Sequence, residues 1–493
     1  MLVDTPSVSL DASVPLDVIV SLDAAELSQR IKARDLSCEE VMRAYLEHIE
    51  RLNPRVNAIV TLADPEQLLA QARERDRQLA RGKYLGWMHG FPLAAKDLAA
   101  TSGMRTTWGS PLFKDFVPNY DSISVERMKR AGAIIIGKTN TPEFGLGSQT
   151  YNEVFGATRN AYDMAKTSGG SSGGAAVCLA LRMLPVADGS DMMGSLRNPA
   201  AYNNVYGFRP SQGRVPLGPA VELFFQQLST EGPMGRTVND VARLLAIQAG
   251  SDPRAPIAID HHGGRFDDPL VRDFKGTRIG WLGDFGGYLA TEPGVIDLCE
   301  TGLKDFEAIG CEVEDVMPDF SMEQLWQTWL TLRHWLICGS LGPHYADGRK
   351  RELLKPEARW EIEGGLHLKG DAVYKASLAR SAWYREVCRL FEHYDYLILP
   401  TAQVFAFDAG SHWPKEIAGR TMDTYHRWME VVTPATLAGL PAISVPIGFD
   451  ANGRAMGVQI LGKPRADFDT LALAHAHELA TRWVRKHPPA VLA

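Results

Sequence analysis

What most limits how this chain can fold is an alternation. Short, almost wholly apolar runs such as Ala133-Ile134-Ile135-Ile136-Gly137 recur between stretches with helical periodicity, among them Asp121 to Ala131 and Thr237 to Ala249. Runs of the first kind read as strands buried on both faces. Tyr396-Leu397-Ile398-Leu399, Ala442 to Ile447 and Met456 to Leu461 add late strands, and an amphipathic helix runs from about Asp467 to Trp483. The pattern predicts an α/β fold in which helices cover both faces of a mixed, mostly buried sheet. At 493 residues the chain exceeds the usual length of one domain, yet large α/β enzymes often remain a single unit.

Residues 1–20 read as a tail or arm. From Ser21 the pattern turns helical, with Ala24, Leu27 and Ile31 on one face. A capping box, Ser37 with Glu40, opens a second helix that Asn53-Pro54 is expected to stop. Asp64-Pro65 starts a third, because aspartate suits the N-cap and proline the first turn. The organisation expected is one domain over 21–485, with a variable, helix-rich aromatic insert at about 252–430. That insert holds Trp326, Trp329, Trp335, Trp360, Trp383, Trp413 and Trp428. Tryptophan serves equally as helix packing and as a wall around an apolar substrate, and the sequence leaves both readings open.

Charge and cysteine usage exclude several classes. A net charge of -7 without a basic run offers nothing to gather a polyanion, so nucleic acid is not an expected partner. Cys38, Cys178, Cys299, Cys311, Cys338 and Cys388 are scattered without a C-x-x-C pair, which argues against a zinc site and a disulfide framework. They read as reduced thiols of a cytoplasmic enzyme. Met1 to Leu16 has acids in place of a positive n-region, and no segment supplies the roughly 20 apolar residues of a spanning helix. Neither a signal peptide nor a membrane partner is expected.

The chemistry gathers in three segments: His89 to Asp97, Gly169-Gly170-Ser171-Ser172-Gly173-Gly174, and Asp191-Met192-Met193-Gly194-Ser195-Leu196-Arg197. Amide hydrolysis needs a nucleophile, a group that moves its proton, and donors aimed at the developing oxyanion. Ser195 is the candidate nucleophile, following Gly194 at a turn that points successive N–H groups inward. Met192, Met193 and Gly194, with Ser195 itself, are the candidate oxyanion donors. Lys96 is the candidate base: exposed, an amine with a pKa near 10.4 is protonated, but the apolar approach Phe91 to Ala95 suits a buried, neutral one. The glycines around Ser171 permit backbone conformations that other residues avoid. The same run satisfies the G-x-S-x-G pattern of α/β-hydrolases. That reading needs a buried strand before it, and Tyr162 to Thr167 does not look like one.

These segments, in this order, resemble the amidase signature family. Further matches are Gly137 to Gly145, Arg197-Asn198-Pro199-Ala200, Tyr206 to Pro216 and Leu440 to Pro446, so the likeness runs from about Ser21 to Trp483. It implies an α/β/α sandwich around a large mixed β-sheet, no metal or other cofactor, and an acyl-enzyme intermediate. It also implies that Ser171, on a cis peptide bond and 24 residues before Ser195, relays protons between Lys96 and Ser195. The stretch Phe144 to Thr150 looks like the family's substrate-facing loop, making Phe144, Gly145, Ser148 and Gln149 candidate binding residues. One departure is Met193, where members usually carry glycine; it is expected to reshape the acyl pocket. Arg197 is expected to be structural.

The function expected is hydrolysis of a small apolar or aryl carboxylic amide. A carbamate or ester hydrolase, and the glutaminase subunit of a tRNA-dependent amidotransferase, are the alternatives. An inactive binding protein is disfavoured because all three proton-relay positions are present. A small-molecule amide is the expected partner, with a homodimer left open.

Overall fold

The computed structural model describes residues 16–225, 227–260 and 263–492. The capping box forms as read: Ser37 Oγ accepts from the Glu40 N–H at 3.1 Å, and a Glu40 carboxylate oxygen accepts from the Ser37 N–H at 2.8 Å. The helix that it opens, Cys38–Val56, runs through Pro54 instead of stopping there. In the last turn proline forfeits little beyond its own N–H. Termination falls to Asn57, left-handed at φ 53°, and to the Asn53 carboxamide, which accepts the N–H groups of Ala58 and Ile59. Asp64 caps the next helix, Pro65–Ala80, by accepting from the Gln67 N–H at 2.9 Å.

The first described helix, Leu16–Ser21, begins inside the stretch read as an arm and buries Ile19 and Val20. The Arg236 guanidinium anchors it by donating to the carbonyls of Val20, Ser21 and Leu22. Residues 1–15 of the expected arm lie outside the described residues.

Two sheets carry the architecture. The larger has eight strands, in the spatial order Glu312–Asp315, Arg278–Trp281, Tyr396–Pro400, Ala455–Gly462, Ala442–Phe449, Tyr206–Arg209, Thr230–Gly235 and Ala187–Asp191. Arg278–Trp281 runs parallel to both of its neighbours, and the remaining pairs are antiparallel. The sheet is therefore mixed, with Arg197–Tyr202, Val295–Ala308 and Asp467–Thr481 packed on its central strands. The smaller sheet holds Pro92–Lys96 parallel to Ile134–Thr139, which pairs antiparallel with Ile59–Leu62. Asp188, on the edge strand of the large sheet, joins the two: its carboxylate accepts the Lys96 backbone N–H at 3.1 and 3.2 Å. This α/β arrangement is the fold class read from the alternation.

The stretch 252–430 is threaded through this frame. Arg278–Trp281, Glu312–Asp315 and Tyr396–Pro400 are strands of the large sheet, while Met322–Ala346, Pro356–Leu366 and Gly370–Leu390 are helices. Trp326, Trp329, Trp383 and Trp428 are fully buried, the packing alternative of the two. No helix among the described residues is long and apolar enough to cross a membrane.

Candidate active site

Lys96 ends a strand that is buried along its whole length. Its Nζ lies 2.7 Å from Ser171 Oγ, 2.8 Å from Ser172 Oγ and 3.0 Å from Ser190 Oγ. Burial pulls its pKa down to about 7, against the opposing pull of Asp188, Asp191 and Glu231. Around neutral pH a large share of the lysine is thus uncharged. A neutral amine has one lone pair and two N–H bonds, so it can accept a proton from one of these hydroxyls while donating to the others. Glu231 stands cross-strand from Ser190. Burial, and then the charge of Asp188, push its pKa up to about 8.

The glycine-rich run brings two of those serines to the lysine. Gly170–Ser171 is a cis peptide bond, and Gly173 opens the helix Gly173–Ala180. A Cβ on Gly174 would meet Asn140 N at 2.4 Å and Ala58 O at 2.6 Å, so this backbone approaches its neighbours too closely for any side chain. The preceding stretch, 162–167, forms only isolated bridges. It therefore lacks the strand that a nucleophile elbow requires.

Ser195 sits in the turn between the edge strand Ala187–Asp191 and the helix Arg197–Tyr202. Asp191 organises that turn. Its carboxylate accepts the N–H groups of Gly194 at 2.9 Å and Leu196 at 3.2 Å, and it pairs with Arg197 and Arg209, all without solvent exposure. Burial alone would raise the Asp191 pKa; the two guanidiniums hold it below the usual carboxylate range instead. Arg197 also donates to Val432 O and Gln459 Oε1, in keeping with a structural role.

The Gly194 N–H was expected among the oxyanion donors, but it is committed to Asp191. The backbone N–H groups of Met192, Met193 and Ser195 make no hydrogen bond to another described residue. Ser195 and Ser171 line one cavity together with Ser190, Met192 and Met193. Lys96 and Ser171 are in direct contact, whereas the Ser195 hydroxyl takes no hydrogen-bond partner among the described residues.

Phe144, Gly145 and Ser148 line the same cavity, as expected. Gln149 does not: its carboxamide N–H donates to Ala409 O at 2.9 Å, on a neighbouring loop. Arg333, Ile337 and His426 line the cavity too. Sequence reading missed all three, and no short motif marks them, because their partners lie far off in the chain. No tryptophan is among the cavity-lining residues.

The fold and this cavity define an α/β protein with a cluster of hydroxyls beside a buried amine. A family model described as Amidase matches residues 40–471, and the chain belongs to that family, the amidase signature enzymes. It is accordingly an amidase, an enzyme of carbon–nitrogen amide bonds. The chain is similar to a glutamyl-tRNA(Gln) amidotransferase subunit of Thermosynechococcus vestitus, 34% identical over 489 residues, or 94% of this chain and 98% of the relative. It is also similar to an acylamidase of Rhodococcus erythropolis, 32% identical over 480 residues, or 95% of this chain and 97% of the relative. Among solved structures, a bacterial aryl acylamidase of the amidase signature family superposes with a TM-score of 0.87 at 28% identity, covering 94% of this chain and 96% of the other.

Proposed function

We propose that this amidase hydrolyses a small carboxylic amide with an apolar or aryl part, using Ser195 as nucleophile, Ser171 as relay and Lys96 as base. The observation that carries this reading is the buried amine of Lys96, its pKa near 7, in contact with Ser171 on the wall that Ser195 shares. Neutral Lys96 takes the Ser171 proton as Ser171 takes that of Ser195. The Ser195 oxygen bonds to the substrate carbonyl carbon, and the Met192, Met193 and Ser195 amides receive the oxyanion. The relay then returns a proton to the departing amine, leaving an acyl-enzyme. Water, deprotonated along the same path, releases the acid. Covalent labelling by a fluorophosphonate probe tests the assignment. Labelling is expected in the parent and lost in Ser195→Ala; labelling that persists in Ser195→Ala overturns it.

The apolar or aryl preference rests on the cavity walls, which include Leu98, Phe144, Leu146, Met193 and Ile337. It also agrees with the likeness to acylamidases. A glutaminase subunit is the second reading, favoured by the similarity to the amidotransferase relative. Glutamine would bring a carboxylate and an ammonium into that mostly apolar cavity. Ammonia release from glutamine, set beside turnover of aryl and alkyl amides, carbamates and esters, separates the readings. Glutamine as the best substrate would overturn the first.

A further inference from the structure

Two polar side chains that line this cavity are used by none of the steps above. Arg333 and His426 are 3% and 1% exposed, and both line the cavity that holds Ser195. Arg333 is held by three partners. Its Nε donates to Glu361, one terminal nitrogen donates to the Tyr425 hydroxyl at 2.7 Å, and the other reaches the Met192 sulfur at 3.3 Å. A guanidinium has five N–H bonds, so two remain beyond those contacts, and the thioether contact is itself weak. His426 stacks flat on Tyr425 at 4.4 Å, with Nδ1 at 2.9 Å from the Thr424 hydroxyl. Its Nε2 is shielded from solvent and has no hydrogen-bond partner. Buried polar atoms are ordinarily satisfied, so spare donors and an orphan nitrogen on a substrate cavity point to a ligand group that completes them.

The charges decide which group. Glu361 is wholly buried, yet the Arg333 charge and a hydrogen bond from His334 hold its pKa below the usual carboxylate range, so it balances the arginine charge. Burial, with Arg333, His334 and Arg427 nearby, pushes the His426 pKa down to about 3, and the ring is neutral despite Glu361 at 3.7 Å. The subsite therefore carries no net charge. A carboxylate would lose its hydration to meet a guanidinium already paired with Glu361, which is a poor exchange. A neutral carbonyl oxygen asks only for N–H donors and loses far less on leaving water. Leu98, Phe144, Leu146 and Ile337 give the cavity its apolar lining, with Ser148 and Ser229 among the other lining residues.

We infer that Arg333 and His426 form a specificity subsite for a neutral hydrogen-bond acceptor carried by the substrate away from its scissile amide. The natural substrate class is then an amide bearing a second, uncharged acceptor such as a ketone or a further carboxamide on an otherwise apolar frame. This rests on Ser195 being the nucleophile of the same cavity.

The test uses three matched primary amides, on chains of one length, ending in a methyl ketone, an isopropyl group or a carboxylate. Three para-substituted acetanilides with acetyl, isopropyl or carboxylate groups place the same substituents on the amine half. Hydrogen bonds to charged donors suggest that kcat/KM for the ketone member of one set exceeds that of its isopropyl partner by roughly tenfold to a hundredfold, with the carboxylate poorest. The paired variant Arg333→Met with Glu361→Gln avoids stranding a buried carboxylate, and His426→Phe keeps the stack on Tyr425. Both are expected to erase most of the ketone preference, through KM more than kcat. Calorimetric binding of the same six compounds to Ser195→Ala gives a second readout that needs no turnover. Discrimination in binding without hydrolysis would sink the proposed nucleophile and keep the subsite. Hydrolysis with no ketone preference in either set, a preferred carboxylate, or a preference that survives both variants overturns the subsite.

Discussion

The lysine side of the cavity and its far wall are built differently. Lys96, Ser171, Ser172 and Ser190 converge from a strand end, a glycine-rich turn and an edge strand, and a single amine touches all three hydroxyls. On the far wall Arg333, Glu361, Tyr425 and His426 come from three elements and bind chiefly one another. In the first region backbone geometry places short side chains that have little freedom to miss. In the second, long side chains hold each other. Chemistry is expected to reside on the first side and substrate preference on the second.

Variants can break that division. The largest effect is expected on the lysine side. Ser195→Ala and Lys96→Met should each lower kcat by roughly 10⁴-fold or more, as for other relay enzymes that lose a core member. The loss should be equal for every amide tested, because these residues act on the reacting atoms. A deficit that varied strongly between substrates would erase the contrast. Next comes Asp191→Asn, which leaves Arg197 and Arg209 short of their buried counter-charge. A cost of about 3–5 kcal/mol is expected, read as a lower midpoint in denaturant titration, and a change under 1 kcal/mol, roughly one ordinary hydrogen bond, would count against this role.

A smaller effect is expected from pH. Activity needs the uncharged lysine, whose pKa burial has brought to about 7. kcat/KM should therefore climb about tenfold per unit below that point and level off above it. A flat profile across the region would point to another base. The smallest expected change sharpens the comparison from the cavity's edge. Met193 is 4% exposed and lines the cavity, so Met193→Gly should shift the ratio of bulky to small amide turnover by roughly tenfold, the low end of the worth of one methylene. An unchanged ratio would deny it a part in the pocket.

The two sides also differ in how far the sequence disclosed them. The meeting of Lys96 with Ser171, and the cavity that Ser171 shares with Ser195, were legible because each residue stands in a local pattern with a physical reason: an apolar approach, glycines on both sides, a turn after a short run. Ser172 and Ser190 were not read as lysine partners, because their contact exists only once the two sheets meet. The Gly194 N–H was misjudged, although aspartate three residues before a glycine is a familiar way to occupy such a donor. Gln149 turned away because the distant Ala409 carbonyl claims its amide. On the far wall, Arg333 finds Glu361 across 28 residues and Tyr425 across 92, separations that no periodicity encodes. Much of the strand-and-helix alternation was readable, since buried strands must be apolar. Pro54 was the exception, because one missing N–H in a final turn is a small loss.

The Asp188 bridge leaves the enzyme with a particular weakness. Lys96 belongs to the small sheet and Ser195 to the turn after the edge strand of the large one, and the two sheets meet where the Asp188 carboxylate holds the lysine backbone and the Ser190 hydroxyl meets its amine. A crack running between the sheets would carry the amine away from its hydroxyls while most of each sheet stayed folded. Under gentle denaturation, catalysis should therefore fail before the bulk of the secondary structure does.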